Sequence, residues 1–123
     1  MRGIALLLRN YEKITGVWAQ NDIIEAGLIK EWHKRRISAS DDMSVIGMDD
    51  VSLASMMTPA LTTIKQPFKE MSQKAVDMVI RQKEDNMVSD KKIVLEASLV
   101  IRETTAEVKQ WTNLLYYNRL RYI

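Results

Sequence analysis

Apolar residues recur along this chain at two alternating periods. Ile4, Leu7, Leu8 and Tyr11 stand three and four positions apart, which predicts a helix over about residues 2–13 with Gly16 following its end. Ile14, Thr15, Val17 and Trp18 are β-branched or aromatic and predict a short strand stopping at Gln20-Asn21-Asp22, where Asn21 or Asp22 can cap a second helix. That helix is expected from Ile23 to about Lys34, with Ile23, Ala26 and Ile29, flanked by Ile24, Gly27 and Leu28, as a broad buried face. The cations His33-Lys34-Arg35-Arg36 fall at its negative end, which favours them there; a phosphate-binding patch is the other use of such a run. Met43 to Met48 is nearly continuously apolar and ends abruptly at Asp49-Asp50, the pattern of a buried parallel strand. Val51 to Met57 has room for one or two helical turns before Thr58-Pro59. Leu61 to Gln66 reads as another strand, and Pro67 opens a helix to about Lys83 with Phe68, Met71, Ala75, Met78 and Val79 as its stripe. After a loop over 85–90, Ile93 to Ile101 alternates, with Ile93, Leu95, Ala97 and Leu99 on one face of a strand. Strands separated by helical crossovers imply an α/β fold: a three-layer sandwich around a mostly parallel sheet.

Composition narrows the function classes. A chain of 123 residues, 46% hydrophobic and 28% charged, has the make-up of one soluble domain and needs no disulfide or metal to fold. It has no Cys, which excludes disulfides, iron–sulfur clusters and thiol catalysis. Its apolar runs are far shorter than the roughly 20 residues of a membrane span. Ile4 to Leu8 imitates the core of a secretory signal, but Arg9 ends it too early, so a cytoplasmic location is expected. The net charge of +2 comes from the last eighteen residues, where Lys109, Arg119 and Arg121 outnumber Glu107. The rest is electrically balanced, so nothing marks a nucleic-acid-seeking body. The same tail holds Trp111, Tyr116, Tyr117 and Tyr122, and a boundary is expected near Ala106 between a domain over 1–105 and a divergent tail over 106–123.

Open parallel sheets bind ligands beyond the carboxyl ends of their strands. Three strands end there in polar pairs, Asn21-Asp22, Asp49-Asp50 and Lys65-Gln66, a set of amide and carboxylate groups suited to a small ligand rich in hydroxyls. The same residues also suit purely local roles, Asn21 and Asp22 as helix caps and Asp49-Asp50 as the start of a turn. Catalysis has little to rest on: His33 is the single histidine and has no identifiable partner, no metal-ligand spacing occurs, and the four glycines form no phosphate loop. The chain therefore reads as a non-enzyme without metal or cofactor.

Four motifs then occur in order: Ala19-Gln20-Asn21-Asp22, Ser44 to Asp50, Thr58 to Pro67, and Leu99 to Thr105. Together they resemble the LacI/GalR family of bacterial transcription regulators over about residues 1–105, specifically the C-terminal part of its effector-binding core, which has the type I periplasmic-binding-protein-like fold. The resemblance implies that Asn21 and Asp49 hydrogen-bond effector hydroxyls, that Gln66 lies at the cleft, and that Phe68 and Met71 supply apolar walls. The effector would be a small molecule, often a sugar. The resemblance also implies that Ala26 and Met57 contact a second subunit, to which an exposed Met56-Met57 pair would add an adaptable surface.

Nothing in the chain precedes Met1, so the family's DNA-binding helices, its hinge and most of its other lobe are expected to be missing, and no operator binding is expected. The helix after Pro67 packs in that other lobe in the family; here its stripe would fold back, pair with another chain or stay exposed. Two other readings share the pattern. One is a fragment of a periplasmic sugar-binding protein serving a transporter; the other is a dimerising interaction protein that acts on a full-length paralogue through Ala26 and Met57.

Overall fold

The computed structural model describes residues 14–85 and 92–107. The helix predicted over 2–13, most of the loop over 85–90 and the tail beyond 107 lie outside the described residues. Within them the order is β1 (Gly16–Trp18), α1 (Asp22–Lys34), β2 (Ser44–Met48), α2 (Ser52–Met56), β3 (Thr63–Lys65), α3 (Phe68–Asp85) and β4 (Ser98–Val100). The strands form one open sheet in the order β1-β2-β3-β4. β1 runs parallel to β2 with Val17 opposite Val45, and β2 parallel to β3 with Gly47 opposite Thr63. β4 closes the far edge antiparallel, Ile64 opposite Leu99. The mostly parallel α/β sheet expected from the helical crossovers is thus present.

Helix α1 begins where a capping side chain was expected. Asn21 is its N-cap, with Oδ1 accepting from the Ile24 amide at 2.9 Å. At the other end the Ile37 amide donates to Trp32 and the Arg36 amide to His33, the paired closure in which the residue after the cap turns left-handed. Arg36 occupies that position at φ 60°. Ile37 then packs against the core.

The face α1 buries differs from the predicted one. Asp22, Glu25, Leu28, Ile29 and Trp32 are buried, while Ile23 and Ile24 remain 60% and 49% exposed. The acidic first turn is drawn inward by bonds rather than by hydrophobicity. Asp22 accepts from the Thr63 hydroxyl and from the Val51 amide, and Glu25 meets the Thr104 hydroxyl. Those ties rotate the helix and leave the two isoleucines outside. Behind this turn, Leu28, Ile29 and Trp32 join Ala19, Met43, Val45, Ala54 and Leu61 in the core.

The chain returning after β4 stitches β2 to β3. The Val45 amide donates to the Thr104 carbonyl, the Thr62 amide to Thr104 Oγ1 and the Arg102 amide to Thr62 Oγ1. Glu103 ties down the turn after Pro59 through the Ala60 amide. Two elements depart from expectation. The strand predicted over Ile93 to Ile101 is reduced to Ser98–Val100, because neither of its faces is buried and alternation has nothing to fix it against. On α3, Phe68, Met71, Ala75 and Val79 are exposed and Met78 half-buried, so among the described residues the stripe stays uncovered.

Candidate functional site

Strand β2 delivers two aspartates to the carboxyl edge of the sheet. The Asp49 amide continues the parallel ladder by donating to the Ile64 carbonyl at 2.8 Å, and the backbone then leaves the strand abruptly, with φ 110° at Asp49 and 53° at Asp50. Two consecutive non-glycine residues in left-handed backbone are held there by their surroundings, a pattern that clusters at ligand sites.

The two carboxylates diverge, as adjacent side chains at a strand end should. Asp49 Oδ1 accepts from Gln66 Nε2 at 2.7 Å, joining the ends of β2 and β3 through one hydrogen bond. Asp50 turns the other way, to Arg102 Nη2 at 2.6 Å and Lys65 Nζ at 3.4 Å. The Arg102 hydrogen bond, reinforced by Lys65, holds the Asp50 carboxyl below its usual range. Arg102 also donates to the Leu61 carbonyl, so it braces the corner from behind.

In front of this corner lies an open concavity of about 720 Å³. Asp49, Asp50, Lys65 and Gln66 line one side, and Pro67, Phe68 and the first turns of α3 line the other. Phe68 is 49% exposed and lines the concavity together with the polar pair. Such a combination can hydrogen-bond hydroxyls in a plane while stacking on the apolar face of a small ring.

Asp49, Gln66 and Phe68, each expected at the site from the sequence, are therefore brought together. Met71 is exposed on α3 but is not part of the concavity's lining. Asn21 also stands apart from that lining, its side-chain oxygen engaged as a helix cap. Asp22, paired with it at the strand end, is fully buried and cannot face a ligand. Arg102 lies within the Leu99 to Thr105 motif, yet its bracing role has no local signal, since it depends on a contact with Asp50 across 52 positions.

The two residues expected at a subunit contact lie on α1 and just after α2, and neither is freely exposed. Ala26 and Met57 are partly buried against the core. The expected Met56-Met57 pair is thereby corrected: Met56 is 78% exposed, whereas Met57 turns inward. Ile23 and Ile24 on α1 and Leu53 on α2 add exposed apolar side chains to the same two helices. His33 is exposed at the end of α1. Among the described residues no group of three or more acidic or histidine side chains could hold a metal, and no helix is long and apolar enough to cross a membrane.

Comparison with known proteins gives a consistent picture. A family model described as a periplasmic binding protein-like domain matches residues 2–105. The ribose operon repressor of Halalkalibacterium halodurans is 31% identical over 99 residues, covering 80% of this chain and 30% of the repressor. A LacI family transcriptional regulator from Enterococcus faecium with bound ribose superposes with a TM-score of 0.76 at 29% identity, over 88% of this chain and 40% of the regulator. The lac repressor dimer bound to operator and an anti-inducer superposes with a TM-score of 0.73 at 30% identity, over 85% and 36%. The chain thus spans about a third of the length of the relatives it matches.

Proposed function

We propose, from the premise that this chain belongs to the periplasmic binding protein-like domain family as represented in LacI-type regulators, that it is part of an effector-sensing domain of a bacterial transcription regulator and takes a sugar-like ligand. The observation that carries this reading is the Asp49–Gln66 hydrogen bond at the sheet edge, set beside the exposed ring of Phe68. A carboxylate already bonded to an amide has remaining lone pairs for ligand hydroxyls, and the amide has its carbonyl oxygen and a second N–H. Residues 1–105 form the sensing domain in this reading, and 106–123 an appendage to it. Asn21 keeps its amide nitrogen for a ligand that extends toward α1. Met71, exposed about one helical turn along α3 from Phe68, would extend the apolar wall beyond the concavity.

The role is binding, not catalysis, and this reading places the chain in the cytoplasm. Titration calorimetry with a panel of aldoses, D-ribose among them, tests it. Weak, saturable binding lost in both Asp49→Ala and Gln66→Leu is the expected result; binding that survives both substitutions removes the assignment.

A second copy of the chain, or a full-length regulator of the same type, is the macromolecular partner this reading favours. Ile23, Ile24, Leu53 and Met56 support it, because they leave an apolar surface around Ala26 and Met57. A transporter-type sugar-binding fragment is the competing reading of the same site, but no feature of the described residues favours it.

A further inference from the structure

Behind the Asp49–Asp50 corner sits a carboxyl group that ligand binding does not use. Glu25 is fully buried on the inner face of α1. Its Oε1 lies 2.9 Å from Thr104 Oγ1, and its Oε2 is buried without a hydrogen-bond partner. Gly47 on β2 presses against it: a methyl group added there would collide with Glu25 Oε2 and Asp22 Oδ1, so neither water nor a side chain can fill that side.

The protons around Thr104 can be counted. Its oxygen accepts from the Thr62 amide at 2.8 Å and stands 2.9 Å from both the Val45 carbonyl and Glu25 Oε1, yet the hydroxyl has one proton to give. With Glu25 ionised, that proton must serve either the carboxylate or the carbonyl, and one buried acceptor goes without. With Glu25 protonated on Oε1, the acid donates to Thr104, Thr104 donates to Val45, and all three bonds form together.

We propose that Glu25 is a proton-operated fastener between α1 and the 102–106 segment, closing the corner behind Asp49 and Asp50 in mild acid and loosening it in mild alkali. The charged groups around it agree. On its own helix Asp22 repels its ionised form; from the returning segment Arg102 favours that form, but Arg102 is already engaged by Asp50, which also holds Lys65 of β3. Burial is the dominant influence and, with Asp22 beside it, outweighs the lowering pull of the Thr104 hydroxyl and Arg102, pushing the Glu25 carboxyl up to about 7. The corner feels the fastener directly, because Asp22, one turn away on α1, holds the Val51 amide, and Thr104 lies two residues from Arg102. The device stands whether or not a ligand occupies the concavity.

The sign comes from linkage. A carboxyl whose folded pKa lies above its unfolded value binds more protons folded than unfolded, so its contribution is fully present below about pH 4.5 and is lost as pH rises through about 7. Urea unfolding of the full chain should therefore show the unfolding constant rising roughly tenfold between pH 6 and pH 8, a rise absent in Glu25→Gln. The exposed His33 is common to both proteins and cancels in the comparison. Equal pH slopes in the two proteins would overturn the proposal. Carboxyl carbon NMR on the unmodified chain decides the matter even where Glu25→Gln does not fold. A Glu25 midpoint near 7 that the Asp50 and Val51 amide signals share supports the fastener; a midpoint in the ordinary carboxylate range, or corner amides that ignore it, removes it.

Discussion

Gly47 sits where helix α1 crowds the sheet, a fit that the absence of a side chain allows. Any Cβ at this position meets Asp22 and Glu25, two buried acids that cannot move without giving up Thr63, Val51 and Thr104. Gly47→Ala should lower the unfolding free energy by about 1–3 kcal/mol, measured by urea denaturation, as overpacking of a closed site does. Adding Glu25→Ala should recover part of that loss, since the two changes share one space; strictly additive losses would show that the helix does not press on the glycine. Little of this was visible in the residues themselves. Asp22 read as a helix cap or a polar group at the strand end, and Glu25 had no role in the pattern, because apolar positions alone do not mark a buried acid. Only the partners Thr63 and Thr104, 41 and 79 positions away, turn them inward. Asp49 and Gln66 were legible because each ends an apolar run at the edge of a parallel sheet, a position that topology alone marks as a binding edge.

The termini of α1 show how local chemistry and ligand chemistry can be separated. Asn21 caps the helix through its side-chain oxygen, so Asn21→Ala should cost about 1 kcal/mol of stability by thermal or urea unfolding. Asn21→Ser should preserve most of that stability while removing the amide, so a sugar affinity that falls in Asn21→Ser as in Asn21→Ala would assign the amide to the ligand. At the opposite end, Arg36 turns left-handed to close the helix, a conformation that costs a residue with a Cβ roughly 1–2 kcal/mol. Arg36→Gly should raise the urea midpoint, and an unchanged midpoint would mean that other contacts hold the turn. The places of β2 and β3 along the chain were readable from runs ended by polar pairs, as buried parallel strands are rich in apolar residues. The extent of β4 was not. Alternation over Ile93 to Ile101 specifies a strand only when one face is covered, and here Ser98 and Leu99 are exposed and Val100 only half-buried.

At the scale of the molecule, one small core holds the sheet and α1 together while much apolar surface remains outside. Trp18, Met56, Val79 and Ile101 are each more than half exposed. The pair of helices α1 and α2 has the strongest claim to a partner, because its exposed Ile23, Leu53 and Met56 adjoin residues already packed on the core. Sedimentation should show self-association that Ile23→Glu combined with Met56→Glu abolishes; an unchanged profile would place the association elsewhere. The concavity before the Asp49–Asp50 corner is open to solvent, so a ligand there is only partly enclosed, and affinity is expected in the millimolar range, of order −4 kcal/mol. Weak binding of this kind is best located atom by atom. Amide-resolved NMR during titration with D-ribose tests the central claim most directly: signal shifts should concentrate at Asp49, Asp50, Gln66 and Phe68 and vanish in Asp49→Ala, whereas shifts that cluster elsewhere, or persist unchanged in Asp49→Ala, would contradict a sugar-sensing role for this edge of the sheet.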